Sequence, residues 1–381
     1  MRNTAYIRAA THTKFGRLEG KSATELMADA ANTLLDESGV PRQHIDGVLC
    51  GYATTYPHLM LASLMAEKLG IQPDYAHGMQ AGGATGAAMV MLARDLVRVG
   101  RCRNILVLAG ENRLTGQAAD TAIQTLAQVG EPQAEVPNGV SVPAYYALLA
   151  SEYMHRTGTS HEDLADFAVR MRQNAASHPD AHLKDIITRQ DVLASKPIAT
   201  PLHLLDCCPI SDGAAALIVS AEPGPVEISG AGQAHRHQHL SAMTDIFDTG
   251  AARACRRALD DANATLDDVD YLAIYDSFTI TLLMLLEELG FADRGKAAQR
   301  LRQGDFDPDG ALPLNIHGGL LSFGHSGVAG GMAHIVEAWR QLSNKADARQ
   351  LSRPRRKAFV HADGGVLSAH VSLILNTTEA A

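Results

Sequence analysis

The chain is poor in aromatic residues (5%), has one tryptophan, and contains no apolar run that would matter to a bilayer. A membrane-spanning helix needs roughly 18–20 consecutive apolar residues, and no such span is expected. The opening stretch MRNTAYIRAA lacks the apolar segment of a secretory signal. Five cysteines (Cys50, Cys102, Cys207, Cys208 and Cys255) form an odd set without CxxC spacing. That set gives neither a disulfide framework nor a zinc site, so no metal is expected, and it suits a reduced, cytoplasmic protein. Basic charge is scarce too: 33 Lys and Arg against 42 Asp and Glu leave a net charge of −9. Nucleic-acid binding, which wants a basic patch or stripe, is therefore not expected. The local exception is Arg349 to Lys357 (RQLSRPRRK), five basic residues in nine. It reads either as a solvated loop or as a phosphate or partner contact.

What the sequence does have is length and apolar content. Its 381 residues, 46% hydrophobic, allow about two domains at roughly 100–200 residues each. Helical and strand patterns alternate, which predicts an α/β fold. Ser22-Ala-Thr-Glu25 reads as a capping box, followed by apolar residues at helical spacing and a stop at Gly39. HIDGVLCGYA (44–53) reads as a short buried strand, Gly82 to Val99 as a small-residue helix, and Asn104 to Ala109 as an apolar strand of the parallel-sheet type.

The same order recurs late in the chain. LLDESGVPRQHIDGVLCGYA (34–53) aligns without gaps on ALDDANATLDDVDYLAIYDS (258–277). GATGAAMVMLARDLVRV (83–99) with RNILVLAG (103–110) matches GVAGGMAHIVEAWRQL (327–342) with KAFVHADGG (357–365). The expected organisation is two similar halves, 1–224 and 225–381. An insertion of about 112–205 in the first half has no counterpart and is read as a lid or as a packing elaboration. Helices are expected there from Pro143 to His155 and from Ser160 to Ala176. The apolar stretches His58 to Met65 and TLLMLLEELGF (281–291) suit either core or the wall of an acyl pocket.

Four stretches, in order, carry a resemblance: Gly82-Gly-Ala-Thr-Gly86, Tyr275-Asp-Ser-Phe278, Gly324-His-Ser-Gly327 and His361-Ala-Asp-Gly-Gly365. Together with DCCPISDGAAALIVS (206–220), this set resembles the thiolase superfamily, and particularly its sterol-carrier-protein-type branch. The resemblance implies a thiolase fold, two α/β halves forming a layered αβαβα core. In thiolases a cysteine at a helix N-terminus attacks an acyl thioester, where the helix dipole and free N–H groups favour its thiolate. The family's Cys-x-Ser-Gly run matches Gly83-Ala-Thr-Gly86, so the nucleophile position is Gly83, and a side-chain-less residue forms no acyl-enzyme.

The resemblance also implies roles for other residues. His325 matches the histidine that donates to the thioester oxygen, and Gly83, Gly324, Gly364 and Gly365 line the substrate site and oxyanion hole. His361 falls on or next to the family's second cysteine, a general acid/base; a shift of a residue or two favours Asp363 instead. Tyr275 stands where ordinary thiolases have Asn. Asp276 beside it either orients the phenol or caps a turn, and His317 and His334 read as structural. A tyrosine at 275 is similar to the thiolase-like aldolases of steroid side-chain breakdown, which also lack the cysteine and cleave β-hydroxyacyl-CoA by a retro-aldol route. Those enzymes carry another tyrosine where this chain keeps His325.

The expected function is therefore non-covalent carbon–carbon chemistry on an acyl-CoA, with Tyr275, His325 and His361 catalytic. Coenzyme A enters as part of the substrate, and no bound cofactor is expected. Two alternatives stay open: an acyltransferase using another route, and a non-catalytic CoA-ester-binding subunit. The resemblance further implies a homodimer and a separate OB-fold, zinc-ribbon partner subunit.

Overall fold

In the computed structural model, residues 3–139 and 141–378 are described. The strands are β1 (Tyr6–His12), β2 (Gly47–Gly51), β3 (Tyr75–Met79), β4 (Asn104–Asn112), the ribbon β5 (Pro197–Ala199) and β6 (Leu202–His203), β7 (Asp212–Ser220), β8 (Val226–His235), β9 (Tyr271–Ile274), β10 (Lys357–Gly364) and β11 (Ala369–Thr377). Nine of them form one sheet in the order β3-β2-β4-β7-β1-β8-β11-β10-β9. Parallel pairing joins β2 to β3 and β4, and β9 to β10; the remaining pairs are antiparallel. Read outward from the β1–β8 junction, the two sides run in matching order, with β3 added at one edge. The junction itself is narrow, pairing only Tyr6 with Glu227 and Ile7 with Val226.

Burial shows why the sheet is layered. Along β4, Ile105, Val107 and Ala109 face one core while Leu106 and Leu108 face another. Such strands are apolar on both faces because helices cover both. The central core holds helices Thr85–Arg98 and Gly327–Leu342 between the two parts of the sheet. Helices Ala23–Ser38 and Leu61–Leu69 cover the outside of the first part. Helices Ala251–Ala262 and Thr279–Glu288 cover the outside of the second. The result is the αβαβα arrangement that the motifs implied.

Local signals in the sequence act as they should. Ser22 and Glu25 make the reciprocal capping box, and Gly39 ends that helix in the left-handed region. Ser160 and Asp163 cap helix His161–Ala176 in the same way. The 281–291 stretch is core, with Leu282 to Leu286 all buried. The 58–65 stretch divides: Leu61, Ala62 and Met65 are buried, whereas Leu59 and Met60 are exposed. Two arginines of the basic run are structural. Arg349 pairs with buried Glu337, and Arg355 donates to the carbonyls of Asp270, Gly310 and Ala311. No helix of the described residues is long and apolar enough to cross a membrane.

Candidate active site

The carboxyl ends of parallel strands and the N-termini of the central helices meet at one place, where α/β sheets offer a cleft. Helix Thr85–Arg98 begins there. Its turn is locked by Thr85, whose hydroxyl accepts from the Ala81 N–H (2.8 Å) and donates to the Gly82 carbonyl (2.6 Å). The first N–H groups of the helix have no partner within it. Against this turn lies the β10–β11 hairpin end. A Cβ on Gly82 would come within 2.9 Å of the Gly365 nitrogen and 3.1 Å of the Gly364 Cα. One on Gly364 would overlap the Ala81 carbonyl. Gly82 and Gly364 therefore let two backbone turns meet, which side chains would prevent, while Gly365 takes a positive φ of +73° beside Ser368.

Gly83 is the centre of the arrangement. A Cβ built on it would lie 2.5 Å from Cζ of Tyr275, and closer still to the Tyr275 Oη and the Asp363 carbonyl oxygen. The phenol thus fills the space that a side chain at 83 would need. Tyr275 follows β9 directly, its N–H held by the His361 carbonyl (2.9 Å). Its Oη lies 3.1 Å from Nε2 of His325, the rings meeting edge-on. His325 is fixed through its backbone: its N–H donates to Pro209 and its carbonyl accepts from Ser211, both at 3.1 Å. Gly324 permits this, because a Cβ there would sit 2.5 Å from the Ser211 hydroxyl and its φ is +128°. The structure thus brings Tyr275, Gly83, His325 and the glycine turns together.

The electrostatics are those of a closed site. Burial, then the proximity of Asp363, pushes the Tyr275 phenol well above its ordinary value, while Arg113 pulls the other way. Burial and Arg113 hold His325 down to about 3, so its imidazole is neutral at physiological pH. Arg113 stands just past the end of β4. It donates from Nε to the Thr54 hydroxyl (3.0 Å) and pairs with buried Glu111 (3.4 Å).

His361 is not brought into this cluster. It lies three residues short of the β10 end, fully buried, with Nδ1 2.8 Å from the Ser372 hydroxyl and Nε2 3.1 Å from Nδ1 of His370. His370 Nε2 contacts the Leu367 carbonyl at 3.1 Å. That carbonyl only accepts, so the chain fixes both tautomers and leaves His361 Nδ1 accepting from Ser372. The strand places Asp363, on the same face, at the site instead. Asp276 caps a turn: Oδ1 accepts from the Leu320 N–H (2.7 Å) and lies 3.3 Å from Nε2 of His334. His317 packs edge-on to His334 in the core, ring centroids 4.7 Å apart.

Three neighbours were not singled out from the sequence: Arg113, Glu111 and Tyr146. Tyr146 comes from the insertion, on helix Val142–Thr157. Its hydroxyl reaches Asp363 Oδ2 (3.1 Å) and the Gly365 carbonyl (3.2 Å), and its ring stacks on Phe278 at 4.4 Å. Strand-end position was the available signal for Arg113; nothing local marked Tyr146. A surface depression of about 610 Å³ around Gly290, Asp293, Lys296 and Arg300 shares no residue with the cluster. Among the described residues no group of three or more His, Cys, Asp or Glu is placed to hold a metal.

Comparison with known proteins follows the same lines. The model for the thiolase N-terminal domain matches residues 5–223, and that for the thiolase C-terminal domain-like family matches 232–377. The acetyl-CoA acetyltransferase of Methanothermobacter thermautotrophicus is 30% identical over 97% of this chain and 99% of its own. The steroid side-chain-cleaving aldolase of Thermomonospora curvata is 31% identical over 87% of this chain and 89% of its own. Among solved structures, the Ltp2-ChsH2(DUF35) aldolase superposes with a TM-score of 0.84 at 29% identity, covering 98% of both chains. Motif order, layered architecture and these matches agree: the chain belongs to the thiolase family of enzymes.

Proposed function

We propose that this protein breaks, or in reverse forms, a carbon–carbon bond in a CoA thioester by aldol-type chemistry without an acyl-enzyme. One observation carries the reading: the volume a nucleophilic side chain at 83 would need is filled by the Tyr275 phenol. In the cleavage direction, Tyr275 as phenolate takes the β-hydroxyl proton while His325 donates Nε2–H to it. The Cα–Cβ electron pair moves onto the thioester, and the enolate oxygen is held by the N–H groups of the Gly82–Ala84 turn. The proton then returns from Tyr275 to Cα, and the carbonyl product leaves. Arg113 supplies the positive charge that offsets the cost of the buried phenolate. A positioned base contributes about 100-fold or more, and each oxyanion donor roughly 3 kcal/mol of barrier.

His361 is assigned a supporting role in this reading, since its nitrogens are engaged by Ser372 and His370. The halves 1–224 and 225–381 are read as a duplication, supported by the matching strand order, and residues about 112–205 as a lid, supported by Tyr146. A homodimer, a separate OB-fold, zinc-ribbon partner and a cytoplasmic location belong to the same proposal. The partner is supported by the paired name of the aldolase structure; co-purification from the host tests it. Coenzyme A is carried by the substrate. The deciding experiment incubates the protein with β-hydroxyacyl-CoA and β-ketoacyl-CoA panels and reads products by mass spectrometry. Release of an aldehyde or ketone from the hydroxy series supports the reading. Thiolysis of the keto series through a covalent acyl-enzyme overturns it.

A further inference from the structure

The insertion reaches the site through one side chain, Tyr146, and what it touches has a chemical consequence. Its hydroxyl has a single hydrogen and two oxygens within bonding distance, Asp363 Oδ2 at 3.1 Å and the Gly365 carbonyl at 3.2 Å. The carbonyl cannot donate. Asp363 is buried, 1% exposed, and its other oxygen, Oδ1, has no hydrogen-bond partner among the described residues. An ionised Asp363 would set two acceptors competing for one hydrogen and leave a buried charge on Oδ1 with only the looser approach of the Leu367 and Gly364 N–H groups to offset it. A neutral Asp363 meets both demands: its O–H donates to Tyr146, and Tyr146 donates to Gly365.

The surroundings point the same way. The groups facing this carboxyl are Tyr146 from the insertion helix, Tyr275 from the end of β9 and Glu288 from helix Thr279–Glu288. Burial dominates and, with the charge of Glu288, outweighs the pull of Tyr146 and of the Leu367 and Gly364 N–H groups, so the carboxyl is held well above the ordinary range. Tyr146 is itself raised well above the usual phenol value, first by burial and then by Asp363. The backbone carbonyl of Asp363 flanks the same point above Gly83 as the Tyr275 Oη.

We propose that Asp363 is a positioning residue kept as a neutral carboxylic acid by its buried setting and joined through Tyr146 to the Gly365 carbonyl, so that no second negative charge stands beside Tyr275 when its phenol ionises. This rests on the aldol reading for its catalytic consequence but not for the protonation itself. In the wild type, Tyr275 and Asp363 compete for one ionisation, and loss of the first proton from the pair leaves it partly on the wrong group. The rate of cleavage then levels off as pH rises through that ionisation. Asp363→Asn keeps shape and neutrality and removes the competition.

Two measurements test it on the intact protein. The infrared difference spectrum of wild type against Asp363→Asn at pH 7 is expected to show the C=O stretch of a protonated carboxylic acid; a carboxylate band overturns the proposal, whether or not any substrate is cleaved. The kcat/KM profile from pH 6 to 10 is expected to level off in the wild type and to keep rising by roughly tenfold per unit in Asp363→Asn. Superimposable profiles overturn the role, as does a folded Asp363→Asn that is dead at every pH, which would make the carboxyl itself the base. Absence of cleavage by the wild type, with the acid band present, sinks the aldol reading and leaves the neutral carboxyl standing.

Discussion

Gly83→Ala is the smallest change that challenges the site. The added methyl carbon would lie 2.5 Å from Tyr275 Cζ and would also overlap the Tyr275 Oη and the Asp363 carbonyl oxygen. Neither obstacle yields easily. The phenol ring is 5% exposed, and the carbonyl belongs to the end of β10. Overpacking of a close-packed site costs about 1–3 kcal/mol, and two rigid obstacles place this case near ~3 kcal/mol. Spread over 381 residues with an unfolding entropy of about 2.1 cal/mol/K each, that loss lowers the melting midpoint by only about 4 °C. Activity suffers more, because displacing a reacting group by about 1 Å costs on the order of 100-fold. Differential scanning fluorimetry and the β-hydroxyacyl-CoA cleavage assay measure the two effects. Adding Tyr275→Asn should return part of the lost stability, the Asp363 carbonyl conflict remaining, and none of the activity. A Gly83→Ala protein with wild-type melting and wild-type turnover would refute the claim that the phenol stands where the side chain would go.

Tyr275→Phe should lose about 100-fold or more in kcat and only the ~1 kcal/mol of its hydrogen bond to His325 in stability; retained cleavage would remove the tyrosine from the mechanism. His361→Gln should leave turnover near wild type but lower the melting temperature, since it strands Ser372 and His370, each bond being worth about 1 kcal/mol. A dead but fully stable His361→Gln would instead return that histidine to the catalytic set. Acid lability should be marked. His178 and His370 are buried and held down to about 2 and about 3 by burial first. The unfolded chain therefore binds more protons below about pH 6.5, and stability present above that pH is lost on the way down, at about 1.4 kcal/mol per unit for each group. At pH 5 that amounts to ~2 kcal/mol each, and urea midpoints unchanged between pH 7 and 5 would contradict it.

The fold was legible because its markers are backbone requirements. Gly82, Gly324 and Gly364 stand where two main chains touch or φ turns positive, and such positions print themselves in order along a sequence. His325 was legible for the same reason, sitting one step from Gly324, and Tyr275 through its place in the motif order at the end of a strand. The acid position was ambiguous because His361 and Asp363 share a strand face, and a period of two cannot say how far along β10 the cleft lies. The rule that clefts open at the carboxyl ends of strands would have chosen the later residue. Tyr146 could not have been found at all. It contacts Asp363 across 217 residues, from an insertion with no partner in the other half, and nothing near it in sequence differs from an ordinary buried helix face.

The position of β1 also governs how the chain is made. Its two neighbours in the sheet are β7 and β8, which begin at Asp212 and Val226. At about 5–20 residues per second of synthesis, the first strand waits roughly 10–40 s on the ribosome before either edge is covered. Until then the first half holds β2, β3 and β4 as an incomplete sheet, and the entire insertion must emerge before closure. Nascent-chain proteolysis should find Tyr6–His12 cleavable until the second half has begun, and protected soon afterwards.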